Sequence, residues 1–328
     1  MNEKQCCVKK TSIGGQALIE GIMMRGPQTT ALAVRHVSGE IIVEDWATEG
    51  LNKPKWMRLP FIRGIFNFID SMRYGYKCLM RSAELSGLED EIAEATTQKP
   101  EETTENVPEE QPAEEKKSSA FMNVLMVCSA AIGVVLAVVL FIWLPAFLFG
   151  LLSGAFPAFN HAVYRGVFEG VFRIVLFVGY VAVISLMKDI RRVFMYHGAE
   201  HKTIFCYEQG LPLTVENIRG QSRFHPRCGT SFMILMLLVG MIVSMLIPPM
   251  DAWLRTAVKL LTVPAVVCVG YEIIKLAGRK DNWFTRLVSK PGMWMQALTT
   301  KEPDDSMIEC AIAAMEKVIP EDAEADTW

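Results

Sequence analysis

This sequence lacks three things that would point to common soluble enzymes: a nucleotide-binding glycine loop, a paired cysteine framework and an N-terminal apolar leader. Glycines crowd residues 12–27, but in neither a Walker nor a G-x-G-x-x-G pattern, so no phosphate-cradling loop is read there and the run is read as close backbone packing. The eight cysteines, Cys6, Cys7, Cys78, Cys128, Cys206, Cys228, Cys268 and Cys310, show no paired spacing. Cys128 and Cys268 lie in apolar runs and the others in segments read below as cytoplasmic, so free thiols in a reducing compartment are expected. Lys4, Lys9 and Lys10 precede no apolar core, so no signal peptide is expected. Basic residues form no stripe with interleaved aromatics, so direct nucleic-acid binding is not expected. The most informative scarcity is local: several blocks of roughly 20 residues carry almost no charge, the length a bilayer span requires.

Against that background 51% of the 328 residues are hydrophobic and 21% charged, with a mean hydropathy of +0.24. The pattern predicts a mainly α, polytopic membrane protein with four transmembrane helices and a small N-terminal α+β element. The spans are Phe121–Leu144, Val167–Met187, Thr230–Ile247 and Ala257–Leu276, and residues 145–159 continue apolar either as helix or as a loop. Lys and Arg concentrate between the second and third spans and after the fourth, which predicts that both termini and the long central loop are cytoplasmic.

The remaining segments read as follows. Residues 1–58 form a cytoplasmic element in which apolar residues flanking Ser38-Gly39 predict a β-hairpin. Residues 59–88 are an amphipathic helix whose stripe (Ile62, Ile65, Phe66, Ile69, Met72, Tyr76, Leu79) suits the bilayer interface or an ordinary core. Residues 89–118, acidic and poor in apolar side chains, read as a disordered linker. Spans one and two fill 119–187, a His-containing cytoplasmic loop 188–229, spans three and four 230–277, and a cytoplasmic tail 278–328. That tail carries a short helix over Asp304–Val318 with Asp304, Asp305 and Ser306 as N-cap candidates.

Chemistry concentrates in the loop between the second and third spans. His197, Glu200 and His201 form an H-x-x-E-H arrangement. On a helix the two imidazoles stand one turn apart, able to reach one divalent metal, with Glu200 placed as a general base. His225 and Cys228 follow directly before the third span and complete a potential His197, His201, His225, Cys228 set. Glu272, at the same depth, is an alternative carboxylate ligand. Four ligands would make a structural site, three plus water a catalytic one. Glu169 and Arg173, spaced i, i+4 inside the second span, predict a local ion pair.

Five runs, 13–27, 196–203, 213–219, 222–232 and 298–305, together resemble the YqhQ-like family of bacterial membrane proteins, described as predicted metal-dependent enzymes of unknown function. The resemblance implies a metal role for His197, Glu200, His201, His225 and Cys228, and a setting near protein synthesis or membrane-protein biogenesis.

Two functions compete on these grounds. One is a metal-dependent hydrolase, with zinc on the histidines and Glu200 as base. The other is a non-catalytic membrane factor that binds the protein-export or translation machinery through its cytoplasmic platform, including Arg219, Arg223 and Arg227. A transporter is a third reading, without a paired hydropathy repeat behind it.

Overall fold

A computed structural model of the chain describes residues 10–48, 54–88, 128–159, 161–226, 228–279, 283–322 and 326. The expected linker at 89–118, residues 121–127 of the first span, and Arg227 lie outside them. Contacts group the chain into two compact units, Met1–Ile92 with Val178–Gly240 and Val263–Trp328, and Ala93–Phe177 with Met241–Thr262.

The first unit is organised by a sheet. Strands β1 (Gly14–Leu18), β2 (Gly21–Arg25), β3 (Thr29–Arg35) and β4 (Ile41–Ala47) pair antiparallel in sequence order. The expected hairpin is β3–β4, with Arg35 opposite Ile41. The glycine-rich run, read from sequence only as close backbone packing, supplies β1 and β2. Close packing is real at Gly15, where a Cβ would meet the Met23 carbonyl and the Glu200 side chain. At the β1–β2 turn Glu20 takes a left-handed φ of 48°. Arg192 holds it there with two bonds of 2.5 Å.

β2 and β3 are buried along most of their length because both faces of the sheet are covered. Ile22, Met24, Ala31 and Ala33 pack against Tyr196 and Ala199 and against Met307, Ala311 and Met315. The opposite face places Leu18, Met23, Leu32 and Val34 around Cys78. Cys78 belongs to α1 (Ile62–Ser86), which fills the expected amphipathic segment. Its contact side is made of small residues, including Gly64, Gly75, Cys78 and Ser82. The apolar stripe points the other way: Ile69, Met72 and Tyr76 are more than half exposed.

Helices α2 (Cys128–Ala155), α3 (Ala162–Ile184) and α7 (Ala252–Arg279) contain, among the described residues, three stretches long and apolar enough to cross a membrane. Four spans are expected, and three candidates stand among the described residues. At the place of the third expected span, α6 (Gly229–Leu246) carries the apolar stretch Phe232–Leu246 among the described residues and ends before Pro248 and Pro249, which have no N–H to extend a helix. Residues 145–155 are helical, which resolves the open alternative for most of that segment. Pro145 is accommodated by a widened turn over Val139–Trp143, in which the Leu144 N–H reaches back to the Val139 carbonyl.

The central loop is largely helix: α4 (Lys188–Glu208) and the short α5 (Val215–Arg219). After α7 come α8 (Trp283–Thr299), absent from the sequence reading, and α9 (Asp305–Val318). α9 starts as expected, with the Asp304 carboxylate accepting the Met307 N–H at 3.0 Å.

Candidate metal centre

α4 carries the H-x-x-E-H run on a side held against two other segments. At its back lies the stretch that leaves α8. The Lys301 N–H donates to the Phe194 carbonyl at 2.8 Å, and the Lys301 carbonyl sits over Gly198, where a Cβ would overlap it. Lys202, buried, donates to the Arg219 carbonyl at 2.9 Å and pairs with Glu302. These contacts bring residues 299–302 alongside the histidines.

In front lies the turn before α6, fixed by Gln296. Its amide brackets His225, accepting the His225 N–H at 2.8 Å and donating to the His225 carbonyl at 2.7 Å. The turn delivers Cys228, whose Sγ accepts from the Thr230 hydroxyl at 3.3 Å and lies 3.1 Å from His197 Nε2. The His197 and His201 rings are 4.4 Å apart centre to centre.

His197, His201 and Cys228 thus converge, each offering one ligand atom, all within 4.8 Å of one another. Both imidazoles are oriented from behind. His197 Nδ1 lies 2.8 Å from the Thr299 carbonyl and His201 Nδ1 2.6 Å from the Arg223 carbonyl. A carbonyl only accepts, so each Nδ1 carries the proton and each Nε2 presents its lone pair to the centre. The buried His201 Nε2 has no hydrogen-bond partner. Burial holds the His201 pKa below the ordinary imidazole value, while the neighbouring Cys228 and the Arg223 carbonyl pull the other way.

The donor set fits a divalent metal. Imidazole and thiolate are the ligands zinc prefers, and tetrahedral bonds of about 2.0–2.3 Å put ligand atoms roughly 3.5 Å apart. His197 Nε2 and Cys228 Sγ, at 3.1 Å, already lie close to that separation, and no pair of the three atoms exceeds it by more than about 1.3 Å. Histidine N–H to carbonyl contacts are the outer-shell bonds that fix a metal-ligating ring.

The other expected residues stand differently. The His225 ring is 5.7 Å from that of His201 and packs on Phe205. Its Nε2 lies 3.5 Å from the buried Glu208, which also accepts the Thr11 N–H at 3.0 Å. Glu200 is buried with its side chain against Gly15, whose N–H it accepts. Burial pushes the Glu200 carboxyl up, partly offset by His197 and that N–H. Glu272 is held by Arg63, at 2.7 and 2.5 Å, and is not in the converging group. Thr299, Glu208 and Gln296 are not singled out by the sequence, and Arg223 only as a platform cation. Two of them act through backbone carbonyls, which side-chain motifs cannot reveal.

A family described as "Protein of unknown function (DUF1385)" matches residues 59–321. "Uncharacterized protein YqhQ" of Bacillus subtilis (strain 168) is 36% identical over 310 residues, covering 93% of this chain and 92% of that protein. No solved structure matches. The matched family segment contains all three converging ligands and both carbonyls behind them, and the chain belongs to this family of unknown function.

Proposed function

We propose that the protein is a membrane-associated metal protein in which His197, His201 and Cys228 hold one zinc-class ion, and that it acts as a hydrolase. One observation carries the reading. Three soft-metal ligand atoms converge within 4.8 Å, one of them a buried His201 Nε2 with no hydrogen bond, while both Nδ1 atoms are tied back to carbonyls. A metal with three protein ligands keeps a fourth position for water and supplies a Lewis acid and a nucleophile at neutral pH. His197 and His201 would orient and bind through Nε2. Cys228 would bind as thiolate, with the Thr230 hydroxyl donating to it. Glu200, one residue before His201 and within electrostatic reach of His197, is the carboxylate we assign to proton transfer. His225 would shield the centre and stay paired with Glu208.

The alternative, a non-catalytic factor that binds the export or translation machinery, has weaker support. Arg219 is occupied by Asp305 and Arg223 by the Thr300 carbonyl, so two of its three platform arginines are already engaged within the chain.

The test is metal content by mass spectrometry of the detergent-purified protein, wild type beside Cys228→Ser and His197→Ala/His201→Ala. About one zinc per chain, lost in the double variant, is expected. No metal in correctly folded wild type would refute the site. Metal retained by Glu200→Gln with turnover lost would assign the base, and turnover retained would remove Glu200 from that role.

A further inference from the structure

The second unit contains a group of charges the metal centre does not use. Glu169, at 0% exposure, is surrounded by Arg165, Arg255 and Lys259, each buried. Arg165 Nε donates to it at 3.1 Å and Arg255 Nε at 2.9 Å, Lys259 Nζ pairs with its other oxygen, and the Ser244 hydroxyl donates at 3.0 Å. The expected Glu169–Arg173 pair is therefore corrected. Arg173 instead donates from Nε to the Phe141 carbonyl at 2.7 Å. That carbonyl is four residues before Pro145, which has no N–H to give it.

Among the described residues the charges do not balance. Four cations, Arg165, Arg173, Arg255 and Lys259, meet one buried carboxylate. The only other acidic side chain among the described residues of this unit, Asp251, is exposed. Two arginines are accounted for by backbone. Arg255 donates to the Ser244, Ile247 and Pro248 carbonyls at 2.9, 2.9 and 3.0 Å, where a helix end carries about half a negative charge. Arg165 donates to the Met250 carbonyl at 2.8 Å. The remaining two have donors to spare. Beyond its Nε bond, Arg173 makes no other hydrogen bond among the described residues, leaving both Nη groups open. Lys259 keeps N–H bonds beyond the one to Glu169, and lies within electrostatic reach of Arg173 and Arg255. Arg173 sits at the middle of α3, a helix long and apolar enough to span a membrane, where uncompensated charge is costly. A counter-anion with several acceptor oxygens would satisfy both the charge and the open donors.

We propose that Arg173 and Lys259, backed by Arg165 and Arg255, form a binding site for a phosphate-type oxyanion, supplied as a phospholipid headgroup or as free phosphate. Phosphate-type oxyanions offer acceptors spaced for a guanidinium fork, with one charge as a phosphodiester headgroup and up to two as free phosphate.

The test is thermal unfolding of the full chain in uncharged detergent, titrated with sodium phosphate, with sodium chloride at matched ionic strength, or with short-chain phosphatidylglycerol. Phosphorus bound per chain after extensive detergent washing is measured in parallel. For wild type the expected result is a saturable rise in midpoint of several degrees with one phosphate source, or one phosphorus retained per chain. A rise with phosphate and not with the lipid assigns a soluble oxyanion. A rise with the lipid alone, or retained phospholipid, assigns a headgroup. Arg173→Gln is expected to lose the rise or the retained phosphorus, and Arg173→Lys to weaken it. No rise and no retained phosphorus in wild type, an equal rise with chloride, or an undiminished response in folded Arg173→Gln would overturn the proposal.

Discussion

Gly198 is a strong lever on the metal centre because simple helix energetics give the wrong sign for its substitution. In the interior of α4, replacing glycine by alanine would ordinarily stabilise by about 0.8–1 kcal/mol. Here a Cβ would overlap the Lys301 carbonyl, a backbone atom that cannot swing aside like a side chain. Relief requires residues 299–301 to lift away from α4. That movement breaks the Lys301 N–H to Phe194 bond and the contact of His197 Nδ1 with Thr299, worth about 1 kcal/mol each. Residual overpacking adds roughly 1–3 kcal/mol. After subtracting the propensity gain, Gly198→Ala should destabilise by about 2–4 kcal/mol. Freeing the His197 ring from its carbonyl should also weaken zinc binding by about 10–100-fold. Thermal unfolding and zinc competition with a chelating dye would measure the two effects. A variant that is as stable as wild type and binds zinc equally well would refute the clamp and the orientation argument together.

Two further outcomes follow from other parts of the molecule. Glu169→Gln keeps the shape of the side chain but leaves three buried cations without their carboxylate, so a loss of about 3–5 kcal/mol is expected; an unchanged unfolding midpoint in detergent would contradict the pairing. Asp326 accepts from Thr11, Ser12 and Tyr207 at 2.6, 2.9 and 2.8 Å, and these bonds hold its carboxyl below the usual carboxylate range despite burial. Its stabilisation is therefore complete above the ordinary aspartate pKa of about 3.9 and disappears as pH falls through the lower folded value. The midpoint difference between wild type and Asp326→Asn should be largest near neutrality and shrink in acid. A difference independent of pH would show that the carboxylate charge is not what matters.

Much of the candidate metal centre is legible because the converging residues are chemically distinctive side chains at helical spacing. His197 and His201 are one turn apart, and Cys228 precedes an apolar run. What could not be read was which candidate would turn inward. His225 and Cys228 are only three residues apart, and the choice between them rests on Gln296 and Glu208, distant residues on other helices. In the fold, the β3–β4 hairpin was visible from its Ser-Gly turn. β1 and β2 were hidden because their glycines are spent on tolerating close neighbours, which mimics a loop in composition. The stripe on α1 left two partners open, core or interface. The side facing the sheet turned out to be its row of small residues, a signal that hydrophobic periodicity passes over. The Glu169–Arg173 spacing misled for a related reason: in a bundle, cations on neighbouring helices outcompeted the local one.

The position of α9 has a consequence for how the protein is made. Its residues Met307, Ala311 and Met315 cover one face of a sheet built from the first 47 residues, and Asp326 ties down Thr11. During synthesis the sheet must therefore wait, half uncovered, until almost the whole chain, intervening apolar helices included, has left the ribosome. Thr299, which orients His197, also emerges late. Metal capture would then coincide with completion of the chain, and a truncated product should be exposed both to aggregation along its uncovered sheet and to proteolysis.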